Sequence, residues 1–204
     1  MINESLIFDI GAHNGEFSAK YSDSCRVVSV EANPILVENL KKRFFGKTVC
    51  VESCAVGNHR GEVPFYVCSQ DQMSSCNIDW LTTMRYKSAG IQETILIPCV
   101  TFDDLIEKYG KPHHTKIDTE GYEYFVVSGL TQRVGSIQFE YIGEEWERLT
   151  IPVIDHLTNI GYSNFSIKEL CGDFEAFGDD DKKWITADEA KLHLGVGGMI
   201  IAHY

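Results

Sequence analysis

The 204-residue sequence predicts an α/β fold built on a repeating strand–helix sheet, and three observations carry that reading. Apolar runs bounded by turn residues alternate with segments of helical period. A glycine turn, "DIGAHNG" from Asp9 to Gly15, follows the first apolar run. An acidic residue, Glu31, closes the second, and Asn33-Pro34 supplies an N-cap and a first-turn proline for the helix after it.

Leu6–Ile10 reads as a buried strand, followed by the glycine turn and a helix through about Tyr21. Val27–Val30 is the second strand, with a helix behind it to about Phe45, and two such units fit a right-handed crossover between parallel neighbours. Val49–Ala55 reads as the third strand. Val63–Val67 and Ile95–Val100 form an extra β-hairpin, an insertion around residues 61–100 expected to add to the main sheet. The polar residues 69–93 between them read equally as a mobile lid or an ordered surface excursion. "TFDDLIEKYG" opens on a T-x-x-D capping pattern at Thr101 and stops at Gly110, which makes it a helix. His114–Asp118, a helix over Tyr122–Leu130, and Ser136–Tyr141 continue the alternation. After Pro152 come a helix to about Ile160, a strand over Tyr162–Ile167 and a final strand over Met199–His203. The acidic "GDDD" at 178–181 reads as a solvated loop.

Apolar residues make up 44% and charged residues 24%, so the disordered and fibrous classes are excluded and a single domain is expected. A net charge of −12 argues against a surface built for phosphate backbones. Seven cysteines without a C-x-x-C pair write neither a zinc knuckle nor a redox motif, and read as reduced thiols. No run of 18 apolar residues occurs, and the chain is expected to be soluble and cytoplasmic, without a membrane partner.

In open α/β sheets, ligands bind beyond the carboxyl ends of the strands. The residues there are Asp9 with Gly11, His13 and Gly15; Glu31 with Ala32; Cys54 with Ala55; Asp118 with Glu120; and Glu140. Glycines let the turn approach a ligand closely. Glu31, 20 residues after Gly11, stands where a carboxylate accepts hydrogen bonds from both ribose hydroxyls of a nucleotide. Both a nicotinamide dinucleotide and S-adenosyl-L-methionine carry such a ribose. His13 replaces the middle glycine that a pyrophosphate needs, and Asp9 at the mouth suits an ammonium or sulfonium better than a phosphate.

The blocks "FDIGAHNGEFS" (8–18), "VEANP" (30–34), "AVGNHRGEVPFY" (55–66), "TFDDLIEKYG" (101–110) and "KIDTEGYEYFVVSGL" (116–130) together resemble the FkbM-type S-adenosylmethionine-dependent methyltransferases. The resemblance spans roughly residues 6–141. It implies a class I, Rossmann-like methyltransferase fold: a seven-stranded, mostly parallel sheet with its last strand antiparallel and helices on both faces. It also implies methyl transfer, usually to a hydroxyl oxygen, in a family that acts on sugars, polyketide-type products and other small molecules, so a small-molecule or carbohydrate acceptor is expected without its identity carrying over; the missing N/D-P-P-Y/F tetrapeptide and the negative charge argue against a nucleic-acid acceptor. That family more often carries asparagine where His13 stands.

On this reading Asp9, Gly11, His13, Gly15, Glu31, Ala32, Cys54 and Ala55 hold the donor. Asp118 is base or acceptor-orienting group, or else a helix cap; Glu120 binds the acceptor or steadies the helix start; Glu140 completes the acidic set. Three such carboxylates are what metal-assisted transfer to paired hydroxyls uses, but no recognisable ligand set is written and no metal is expected. Glu123 reads as structural, paired with Lys116; His113 and His114 also read as structural. Ser74 and Ser75 resemble a small polar patch of the family, against a plain solvent loop as the alternative. Tyr141 and Trp146 either line an acceptor pocket or belong to the core. The rival functions are a nicotinamide-dependent oxidoreductase and a non-catalytic nucleotide-binding module.

Overall fold

A computed structural model describes residues 5–82, 90–142, 146–169, 183–195 and 197–204. The chain runs β1 (Leu6–Ile10), α1 (Glu16–Tyr21), β2 (Arg26–Glu31), α2 (Pro34–Arg43), β3 (Val49–Ser53), β4 (Ala55–Gly57) and β5 (Gly61–Cys68). After a 3₁₀ turn at Asp71–Met73 come α3 (Ile78–Leu81), β6 (Ile91–Thr101), α4 (Phe102–Tyr109), β7 (His114–Ile117), α5 (Glu123–Ser128) and β8 (Ser136–Ile142). A π-helical turn at Trp146–Thr150 leads into α6 (Ile151–Asn159), β9 (Asn164–Glu169), α7 (Ala187–Leu192) and β10 (Gly197–His203).

Seven strands form the main sheet in the order β3-β2-β1-β7-β8-β10-β9. The β1, β2, β3, β7 and β8 pairings are parallel, and β10 slots between β8 and β9 antiparallel to both. This is the expected class I methyltransferase sheet with a reversed last strand. Strand order reverses between β1 and β7, which opens a crevice at their carboxyl ends. Every residue of β1 is buried, as a strand covered on both faces requires. Val28, Val30, Phe8, Ile10, Ile117 and Phe139 pack with Phe102 and Leu105 of α4 and Val126 and Val127 of α5 in the largest core cluster.

Two expectations need correction, and one pair of open readings is decided. The third strand is two strands, because pairing with β2 ends at its last residue, Glu31, whose carbonyl accepts from Cys54 N at 3.2 Å. From Ala55 the chain enters a different sheet. The insertion does not extend the main sheet: β4, β6 and β5 make their own three-stranded sheet around Ala55, Val63, Phe65, Ile97 and Cys99. Residues 71–81 are an ordered excursion rather than a lid, bridged to β5 at Tyr66–Ser75 and anchored by fully buried Trp80. Helix α7, unforeseen in the sequence, begins with a capping box between Thr186 and Glu189. Residues 83–89 of that polar stretch, and the "GDDD" loop, lie outside the described residues.

The capping box of α4 is formed as its pattern predicts, Thr101 Oγ1 accepting from Asp104 N at 3.1 Å and Asp104 Oδ2 from Thr101 N at 2.8 Å. Replacing Thr101 by alanine is expected to lower stability by about 1 kcal/mol, read as a lower urea midpoint with an unchanged slope.

Candidate functional site

The register of four adjacent parallel strands builds the site. Ser29, Asp9, Lys116 and Gln138 are successive partners across β2, β1, β7 and β8 and so form one polar row on one face. The next row, Val30, Ile10, Ile117 and Phe139, turns to the other face and is at most 1% exposed. One step further along each strand stand Glu31, Gly11, Asp118 and Glu140. The polar face thus ends in three carboxylates and a glycine at the crevice.

Gly11 has φ of +77°, and a Cβ there would meet the Asp118 carbonyl oxygen at 1.8 Å. Only glycine lets the two loops lie this close. Lys116, between them, donates to Gly11 O at 2.8 Å and lies 3.3 Å from Asp118 Oδ2 and 3.6 Å from Asp9 Oδ1. Burial pulls against the Lys116 charge, but Asp118 and Asp9 outweigh it and hold the ammonium above its usual range. The expected Lys116–Glu123 pair is therefore not made.

Asp9 is not at the mouth of the crevice. It is fully buried under the loop, where Oδ2 accepts from Ser18 Oγ at 2.6 Å and Ser18 N at 3.1 Å. Burial raises its carboxyl, opposed by Lys116 and Ser18. Gly15 also sits away from the crevice: at φ of +77°, its would-be Cβ meets Leu40 and Phe44 at 2.7 Å, so it lets the loop pack on α2. Both residues shape the loop from behind.

Glu31 is buried at the crevice wall. Its Oε2 accepts from His13 N and its Oε1 from Asn33 N, both at 2.8 Å. Burial raises its carboxyl and these two amides oppose the rise. Ala32, Cys54, Ala55 and Cys76 continue the wall, and burial pushes the Cys54 and Cys76 thiols up to about 12, leaving them neutral and effectively apolar. His13, at φ of +48°, reaches across the mouth to within 3.4 Å of Asp71 Oδ1.

At the far end, oxygens of Asp118, Glu120 and Glu140 all lie within 4.8 Å of one another. Burial, with Asp118 next, raises the carboxyls of Glu120 and Glu140 well above the usual range. Glu120 has φ of +53° and Gly121 of +83°. The insertion holds this bend: Ser75 Oγ donates to Glu120 O and Asn77 Nδ2 to Gly121 O, both at 2.7 Å, while the Trp80 ring leaves no room for a Cβ on Gly121. Ser75 is accordingly a buried anchor, not a solvent loop residue, and Ser74 binds Cys68 N. Tyr141 is core, and the side chain of Trp146 lies outside the described residues. His114 bonds Ser136 at the opposite ends of the strands, as a structural residue should.

These walls enclose one cavity of about 450 Å³. Gly11, His13, Glu31, Ala32, Cys54 and Ala55 line one part of it, and Lys116, Asp118, Glu120, Tyr122, Gln138 and Glu140 the other. A family description, methyltransferase FkbM domain, matches residues 9–163. The chain belongs to the FkbM methyltransferase family. Membership supports methyl transfer dependent on S-adenosylmethionine and leaves the nicotinamide alternative without a footing. No curated protein matches the FkbM chain. Among solved structures it is similar to a precorrin 8W decarboxylase from Methanobacterium thermoautotrophicum, with a TM-score of 0.52 and 11% identity over 100% of this chain and 83% of that one. A SAM-dependent O-methyltransferase from Thermotoga maritima has a TM-score of 0.50 and 9% identity over 99% of this chain and 60% of that one. Such likeness shows the fold.

Lys116, Tyr122 and Gln138 are site residues that the sequence reading missed. The signal for Lys116 and Gln138 is the shared pattern S-V-E, D-I-G, K-I-D and Q-F-E at the four strand ends.

Glu123 supports the loop from below, its Oε1 accepting from Thr119 N at 2.7 Å and Thr119 Oγ1 at 3.0 Å. Burial pushes its carboxyl from the ordinary 4.5 up to about 7, against the pull of its own amide and of Thr119. Between those values the folded chain keeps a proton that the unfolded chain has released, so stability falls as pH rises through the window. Glu123→Gln removes this loss. Its stability gain over the parent should grow from pH 4.5 to about 7 and then level off, on the order of 3 kcal/mol, in urea titrations at each pH. A gain that does not vary with pH would refute the assignment.

Proposed function

We propose that this FkbM-family domain binds S-adenosyl-L-methionine in the cavity and methylates a hydroxyl of a small-molecule or carbohydrate acceptor. The observation that carries the reading is one cavity with a ribose-type carboxylate, Glu31, at one end and three clustered carboxylates at the other. S-adenosylmethionine supplies a methyl group on a cationic sulfur.

The residues present fit that donor. Each Glu31 oxygen spends one lone pair on a backbone amide and keeps another for a ribose hydroxyl. Ala32, Cys54, Ala55 and Cys76 offer a flat base an apolar wall. The carboxylates nearby favour a cationic donor, and Lys116, the cation deep in the cavity, is already committed to Asp118, Asp9 and Gly11 O.

On the acceptor side, Asp118 is fixed by Lys116 and orients the hydroxyl or takes its proton. Glu120 and Glu140 complete the acidic set beside it. An acidic pocket in a chain of net charge −12 supports a neutral acceptor rather than a phosphate-rich one. A cytoplasmic setting agrees with the free thiols of the six described cysteines, and no helix among the described residues is long and apolar enough to cross a membrane.

Calorimetric titration with S-adenosylhomocysteine tests the donor half. Glu31→Ala is expected to weaken binding by about 1–3 kcal/mol, and equal affinity in a folded variant would remove Glu31 from the donor site. For the acceptor half, Asp118→Asn should lower the turnover of labelled methyl into a sugar, polyol or phenol while S-adenosylhomocysteine binds as before. Full turnover in that variant would take Asp118 out of the mechanism; absence of methyl transfer from the parent to the whole panel would favour a non-catalytic binding module.

A further inference from the structure

The acceptor end of the cavity gathers more carboxylate oxygens than its protein partners satisfy. Asp118, Glu120 and Glu140 bring three carboxylates within 4.8 Å of one another. Glu140 Oε2 is shut off from solvent and has no hydrogen-bond partner. Lys116 reaches Asp118, but among the described residues neither Glu120 nor Glu140 forms an ion pair with a lysine or arginine. A carboxylate oxygen removed from water and left without a donor is costly, and such atoms are normally satisfied by a proton or a cation.

We propose that Asp118, Glu120 and Glu140 bind one divalent cation of the hard, oxygen-preferring class, Mg²⁺ or Mn²⁺, facing the cavity. The donor set is entirely oxygen, with no imidazole or thiolate among the clustered groups, which disfavours zinc and copper. Two of the ligands sit at the ends of adjacent parallel strands, and the third is held by the Ser75 bond to its carbonyl, so the set is anchored before any ion arrives. Lys116 occupies one Asp118 oxygen, Oδ2, and leaves the other for the ion. Three carboxylates leave coordination positions open toward the cavity. There the ion takes two adjacent acceptor oxygens, which specifies a vicinal diol or catechol-type acceptor and lowers the pKa of the hydroxyl to be methylated. The acceptor class rests on the methyltransferase reading; the cation site does not.

The experiment is Mn²⁺ titration of the chelator-stripped full chain without donor, followed by the electron paramagnetic resonance signal of free Mn²⁺. One Mn²⁺ per chain is expected, displaced by Mg²⁺ in excess. Glu140→Gln and, separately, Glu120→Gln should weaken it by about 10-fold or more, while the exposed Glu107→Gln leaves it unchanged. Near-ultraviolet circular dichroism and S-adenosylhomocysteine binding of each variant establish that it is folded. No stoichiometric Mn²⁺ in the parent chain, or equal affinity in folded Glu140→Gln and Glu120→Gln, overturns the site and leaves the carboxylates sharing protons. Mn²⁺ binding in a chain that ignores S-adenosylhomocysteine keeps the cation site and removes the methyltransferase reading. S-adenosylhomocysteine binding without Mn²⁺ does the reverse.

Discussion

The Lys116 ammonium is the interaction on which the site depends. Strand order reverses between β1 and β7, so the loops leaving these strands diverge toward opposite faces and would part if nothing joined them. Lys116 joins them, paired with Asp9 of β1, with Asp118 beyond β7 and with the carbonyl of Gly11. Its charge survives burial only because those carboxylates are there, and theirs is tolerable only because it is. Gly11 completes the join by having no Cβ to hold the Asp118 carbonyl away. The donor loop and the transfer residue are therefore one mechanical unit.

A second unit is imposed from outside the main sheet. Glu120 and Gly121 are consecutive residues at positive φ, and a non-glycine there costs on the order of 1 kcal/mol. Ser75 and Asn77 hold the two carbonyls of that bend, and Trp80 fills the space above Gly121. The three-stranded sheet and its excursion thus have a task beyond covering the cavity: they keep Glu120 in a backbone state that aims it at Asp118 and Glu140. His13 and Asp71 make the corresponding contact over the donor end, so the insertion touches both halves of the site.

Much of this was legible in the sequence because it is written locally. Asn33-Pro34, the Thr101 box, the Gly11 turn and Glu31 each need only a few neighbouring residues to be interpreted, and each stands where the pattern places it. Asp118, Glu120 and Glu140 were placed as strand-end residues, and the register brings them together. What failed depends on depth or on partners far along the chain. Asp9 looked like a mouth residue because nothing in "FDIGAHNGEFS" says that Ser18 folds back to take its carboxylate. Local sequence pairs Lys116 with Glu123, an acid seven residues away, whereas its partner Asp9 lies 107 residues back and is set opposite it by register. The insertion reads as extra strands on the main sheet because alternation shows that a strand exists and not which sheet it joins.

Function and packing are linked here by parity. Along β2, β1, β7 and β8 the residues before and after the Val30–Ile10–Ile117–Phe139 row carry the polar groups of the site and its support, and that row packs in the core. A slip of one residue in any of these strands would turn its carboxylate or lysine toward α4 and α5 and its apolar side chain into the crevice. Burying a charge among Phe102, Leu105, Val126 and Val127 is far costlier than any local gain could offset. The apolar row therefore selects the register, and the register in turn sets which oxygens meet at the acceptor end. Helices α4 and α5 touch no reacting group through these core residues, yet their packing decides that Asp118 and Glu140 face the same space.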